Sequence, residues 1–163
     1  MRELHEVWKF GRVRLAQSIE GISDEQLRWR PYEGGHNIAE ILYHIAGAEH
    51  YWANRIVGWP EPTTEADRAI DQAVIMGFLR EGAFPIPETE FTGDAIESAL
   101  GKAAGRIEPV FLIASEEMLS RPITSPIGDT VRGSEGLVRL AQHASYHTGQ
   151  IWLMRMMPTF PTT

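Results

Sequence analysis

Hydrophobic positions recur at steps of three and four along most of this chain, the period of a helix that buries one stripe. Leu4, Trp8, Gly11, Leu15, Ile19 and Ile22 form the first stripe and predict a helix ending near Gly21. Ser23-Asp24-Glu25-Gln26 has the form of a capping box opening a short helical turn, and the proline and glycines of residues 29–35 then make a loop. Asn37 and Glu40 set a second box ahead of a helix that continues to Val57, where Gly58 and Pro60 stop it. From residue 60 to 92 the pattern weakens and four of the ten prolines fall, which predicts a long connection with one helical piece over 65–80.

A third long helix is expected from Asp94, with Ile96, Leu100, Ala103, Ile107, Val110 and Ala114 inward. Pro109 lies inside it, lacks a backbone donor and presses on the carbonyl of Gly105, so a kink or break is expected there. Residues 115–130 return the chain through turns rich in Pro, Gly and Ser. Ser134 then caps a fourth helix, which turns Leu137, Leu140, Ala144, His147 and Ile151 inward and ends before Pro158. Four long helices, with no alternating strand-like run and no internal repeat, predict an all-α fold: a four-helix bundle with a long crossover connection between helices two and three. The 163 residues, 43% of them hydrophobic, are sized for a single domain spanning 1–163.

A formal charge of −7 and a pI near 5.3 argue against nucleic acid or an anionic membrane as partner. The arginines scatter beside glutamates, as on solvated helix faces. The first twenty residues mix charged and apolar positions unlike a signal peptide, and no apolar run is long enough to cross a bilayer, so a soluble cytoplasmic protein is expected. Cysteine is absent, which removes disulfides, thiolate metal ligands and a protein-borne thiol nucleophile together.

The chemistry is carried by histidine. His143 and His147 stand one helical turn apart, about 40° in azimuth and about 6 Å in rise, so their rings can grip one ion. That spacing is common by itself. His44 adds weight to it, because it sits in an apolar run between Leu42 and Ala48 where an unpaired imidazole is costly to bury and a ligand role satisfies it. His50 falls on a largely different face and is expected at a surface or rim; His5, flanked by glutamates near the start, is expected in solvent; His36 either stands at the mouth of a site or covers a helix end. Gln150, three residues past His147, could orient an imidazole or a bound water. Glu40 is already used in capping, and Glu49 points away from His44, so neither makes a strong general base. Trp52, Trp59 and Tyr51 could line a pocket mouth, although aromatics at helical spacing more often form core.

The run Gly21-Ile22-Ser23-Asp24-Glu25-Gln26-Leu27-Arg28-Trp29-Arg30-Pro31, followed by His36-Asn37-Ile38-Ala39-Glu40-Ile41-Leu42-Tyr43-His44-Ile45 and later by His143 through Gln150, resembles the DinB-like (YfiT-like) metalloprotein superfamily. The resemblance spans nearly the whole chain. It implies a four-helix bundle bearing a divalent metal on three histidines, one from the second long helix and two from the fourth, here His44, His143 and His147. It implies too that relatives include transferases or isomerases using a low-molecular-weight thiol, and that homodimers are common. Two positions depart from the family pattern. Tyr146 precedes His147 and Thr148 follows it where a His-His-Arg-Gly-Gln run is usual, and His36 stands where tryptophan is usual before the second long helix.

Three neutral imidazoles leave a divalent ion with an open position, the layout of a catalytic site. Water or a thiol held there ionises more readily, and with no cysteine in the chain the sulfur must arrive on a cosubstrate. The sequence therefore predicts a metal-dependent enzyme that activates a low-molecular-weight thiol (S-transferase or isomerase type) or water (hydrolase type) toward a small-molecule electrophile. Zinc is the expected ion and nickel the second choice. The alternatives are a metal- or small-ligand-binding stress-response bundle without turnover, and a structural or dimerising bundle whose histidines pair with polar core groups.

Overall fold

Ser23 and Asn37 begin their helices as their spacing predicts. In a computed structural model that describes residues 1–60, 62, 64–79 and 83–162, leaving aside the side chains of 76–79, both form reciprocal capping boxes with the residue three positions on, Gln26 and Glu40. Helix α1 covers Arg2–Ile19, α2 Asp24–Arg28 and α3 Ile38–Val57, which stops at Gly58 in the left-handed conformation (φ 78°). The long connection holds α4, Glu65–Leu79, and a 3-10 turn at Glu88–Glu90. Arg80, the last residue of the helical piece expected here, lies outside the described residues. Then follow α5 (Gly93–Ile113), α6 (Glu116–Ser120), the strands β1 (Pro122–Thr124) and β2 (Thr130–Arg132), and α7 (Gly133–Arg155).

Helices α1, α3, α5 and α7 make the bundle, with α1 and α3 each packed against both α5 and α7. Helix α4 lies outside this ring, against α3. Enclosed by three neighbours, α3 is buried along almost its whole length, its polar residues Glu40, His44, Glu49, His50 and Asn54 included. Gly47 permits the closest approach: a Cβ there would stand 2.5 Å from the Ile70 carbonyl oxygen and 2.7 Å from the Val74 nitrogen, so the backbone of α4 rests directly on α3.

Several local expectations are corrected. Helix α5 is capped by Thr92, whose hydroxyl accepts from the Ala95 N–H, and begins at Gly93, one position ahead of the expected start. It runs through Pro109 to Ile113 as one element. Gly105 and Pro109 both face solvent, so the carbonyl that proline leaves free is open to water, while buried Ile107, Val110 and Phe111 hold the turn in the core. Helix α7 starts at Gly133, where the Glu135 carboxylate accepts from the Arg132 N–H at 2.7 Å, and Ser134 is not its cap. The return segment includes a short antiparallel hairpin pairing Ile123 with Val131, both buried. Among the described residues, no helix is long and apolar enough to cross a membrane.

Candidate metal centre

His44 projects from α3 and His143 and His147 from α7, the two helices that pack face to face inside the bundle. Their rings converge. The Nε2 atom of His143 lies 3.1 Å from His44 Nε2 and 3.1 Å from His147 Nε2, and one nitrogen from each ring falls within 4.8 Å of the others. On the far side of two of the rings stand carbonyl acceptors: His44 Nδ1 faces the Ala73 oxygen of α4 at 3.4 Å, and His147 Nδ1 faces Gln150 Oε1 at 2.6 Å. Each carbonyl selects the tautomer with hydrogen on Nδ1 and leaves the Nε2 lone pair aimed at the shared point.

Burial keeps all three rings neutral. It lowers His44 to about 4, with the neighbouring His147 charge adding to the effect. It drives His143 well below its ordinary value, again helped by His147 and His44. His147 is lowered by burial against the opposing hydrogen bond to Gln150. Neutral imidazoles are what a metal ion requires.

The donor set passes a further test of fit. With hydrogen on Nδ1 of His44 and His147, both of their Nε2 atoms are acceptors only. His143 can donate one proton to one of them, so at least one of the two 3.1 Å nitrogen pairs sets lone pair against lone pair. A cation at the common point converts that conflict into coordination. His143 Nδ1 is buried without a hydrogen-bond partner among the described residues.

A cavity of about 730 Å³ opens onto the three rings, walled by apolar side chains such as Ile41, Trp52 and Leu153 and by His36, Arg139, Tyr146 and Gln150. Trp52 lines this space, whereas Tyr51 is built into the core with its hydroxyl donating to the Thr124 carbonyl, and Trp59 lies under the Arg106 guanidinium. His36 meets both expectations held for it, since it lines the cavity and its Nδ1 sits 3.1 Å from Glu40 Oε2 at the start of α3. Burial raises the Glu40 carboxyl, but hydrogen bonds from His36 and Arg30 outweigh it and hold the group at about 2, an ionised anchor and a poor base.

Two histidines correct the sequence reading. His5 is buried in a triangle of rings with Trp8 and Phe111, its Nε2 3.1 Å from Glu108 Oε1. His50 is buried under α4, its Nδ1 3.2 Å from Asp71 Oδ1. Neither shares the cavity. Glu49 is also remote from it, enclosed with the Trp8 indole N–H donating to it at 2.9 Å and the Arg12 guanidinium 3.7 Å away. Sequence reading missed Arg139 and Tyr146. Arg139 stands one turn before His143 and so shares its face, a signal that spacing contained; it pairs with Asp129 at the hairpin tip. Tyr146 packs edge-on against His147 while remaining exposed.

The sequence model of the DinB superfamily matches residues 8–151. The chain belongs to the DinB superfamily. Among solved structures, this DinB-superfamily protein is similar to YfiT from Bacillus subtilis, a probable metal-dependent hydrolase with an unusual four-helix bundle topology, at 16% identity and a TM-score of 0.63 over 94% of this chain and 85% of that one. It is similar also to the mycothiol-dependent maleylpyruvate isomerase, at 16% identity and a TM-score of 0.64 over 92% of this chain. The chain spans 60% of that isomerase's length. At such identities the likeness is one of fold. No curated protein matches the chain.

Proposed function

We propose that His44, His143 and His147 hold a divalent ion, zinc first and nickel second, and that the protein is an enzyme acting there on a small electrophilic molecule. The observation that carries this reading is the convergence of three neutral Nε2 atoms, from a buried His44 and half-buried His143 and His147, two of them fixed as acceptors by carbonyls behind the rings. Such an ion, when bound, supplies Lewis acidity and lowers the pKa of a thiol or water at its open position. The chain's own part is to orient the ligands through Ala73 and Gln150, to exclude water with the apolar cavity wall, and to offer His36 and Tyr146 as polar groups facing the substrate. Because the chain has no cysteine, thiol chemistry at this site takes its sulfur from a low-molecular-weight cosubstrate. Water activation, giving hydrolysis, is the second reading, favoured by the YfiT fold relationship.

Elemental analysis of protein purified without a histidine tag is expected to find near-stoichiometric metal that falls sharply in His143→Ala. Metal-replete wild type without bound metal would overturn the reading. Thiols paired with electrophilic acceptors, tested beside simple esters and amides, are expected to give metal-dependent rates. Stoichiometric metal with no rate on that panel would favour sequestration without turnover.

A further inference from the structure

We infer that α4, a helix outside the four-helix ring, is the positioning element of the histidine site: seated by Gly47 and Asp71, it presents the Ala73 carbonyl that orients His44. This rests on the metal reading above, and three contacts along the length of α3 support it.

His44, Gly47 and His50 follow one another at steps of three on α3, and each meets α4. His44 Nδ1 faces the Ala73 oxygen at 3.4 Å. Gly47 lets the α4 backbone approach, since a Cβ there would be 2.5 Å from the Ile70 oxygen and 3.2 Å from the Ala73 carbonyl carbon. His50 Nδ1 lies 3.2 Å from Asp71 Oδ1, and Arg55 donates to both Asp71 oxygens at 3.2 and 3.3 Å. Asp71 is thus a clamp two residues before Ala73, on a buried stretch of α4 that includes Ile70, Ala73 and Val74.

The chemistry follows from reach. A carbonyl at 3.4 Å is at the limit of a hydrogen bond, so any outward displacement of α4 abolishes it. Gly47→Ala requires such a displacement, because real Cβ atoms do not approach carbonyl oxygen or amide nitrogen at these distances. The Val74 backbone, which also supports the ring, moves with α4; with both withdrawn nothing holds hydrogen on Nδ1, and a His44 that carries it on Nε2 must give it up before binding an ion. Partners of this kind usually contribute ten- to a hundredfold to metal affinity.

The test uses the full chain with two readouts. Nitrogen-15 spectra of the metal-free protein report the His44 tautomer, and chelator competition reports Zn²⁺ affinity. Wild type is expected to carry hydrogen on His44 Nδ1. Gly47→Ala is expected to shift the tautomer toward Nε2–H and weaken Zn²⁺ at least tenfold, while Gly105→Ala, whose Cβ would meet nothing within 4 Å, leaves both unchanged. Should Gly47→Ala fail to fold, Asp71→Asn decides, with the same direction of change and restoration by Asp71→Glu. The inference is overturned if wild-type His44 carries its hydrogen on Nε2, or if a folded Gly47→Ala or Asp71→Asn keeps wild-type tautomer and affinity. A wild type that binds no Zn²⁺ would sink the metal reading alone, since the tautomer still reports whether α4 orients His44.

Discussion

Glu49→Gln isolates a large electrostatic cost in the core. Glu49 is 1% exposed, and burial raises its carboxyl from the ordinary 4.5 to about 7 against the opposing pull of Arg12 and the Trp8 indole. A carboxyl raised on folding binds a proton in the native state that the unfolded chain has already released. Its favourable contribution is therefore complete below pH 4.5 and declines as pH rises through about 7. Each pH unit in that interval, from 4.5 to about 7, removes about 1.4 kcal/mol, or about 3 kcal/mol in all. Glutamine keeps an oxygen for the Trp8 N–H and replaces the protonated oxygen with a neutral amide of the same size. Urea unfolding followed by tryptophan fluorescence should find the two proteins of similar stability near pH 5, with the variant ahead by about 2–3 kcal/mol near pH 8.5. The site histidines also titrate: their lowered values cost stability as pH falls below 6.5, a trend common to both proteins that cancels in the difference. A variant-minus-wild-type difference that stays flat from pH 5 to 8.5 would refute the reasoning.

Gly136→Ala drives a Cβ into the Trp52 ring, and calorimetry or urea unfolding should show a loss of about 1–3 kcal/mol from overpacking; an unchanged midpoint would mean that Trp52 has room to yield. Gln150→Leu removes the acceptor behind His147 Nδ1 and is expected to weaken Zn²⁺ about ten- to a hundredfold with the metal-free melting temperature nearly unchanged. Equal affinity in chelator competition would assign Gln150 no part in orienting the ring.

What was legible in the sequence was what neighbours along the chain decide. The Asn37–Glu40 box, the Gly58 stop and the His143–His147 spacing each involve residues within about a turn of one another, and all three appear as expected. His44 joined them because an imidazole amid Leu42, Ile45 and Ala48 demands an explanation wherever that helix packs. Contacts at long range were illegible. Nothing local signals the burial of His5, expected in solvent, or of His50, expected at a surface or rim, because their acidic partners, Glu108 and Asp71, lie 103 and 21 residues away. The hairpin's three-residue strands are too short for alternation to register. Pro109 does not break α5, because the carbonyl it frees lies on the solvent side, where water replaces the lost donor.

His44 and His143 stand 99 residues apart in the chain. The site therefore does not exist until the last long helix has docked, and a nascent or partly unravelled chain holds no more than the His143–His147 pair. An ion captured by all three histidines would staple the bundle across that 99-residue span. At a thousandfold excess over its dissociation constant it would add about 4 kcal/mol to the native state, so metal supply would govern how long the molecule lasts as well as what it does.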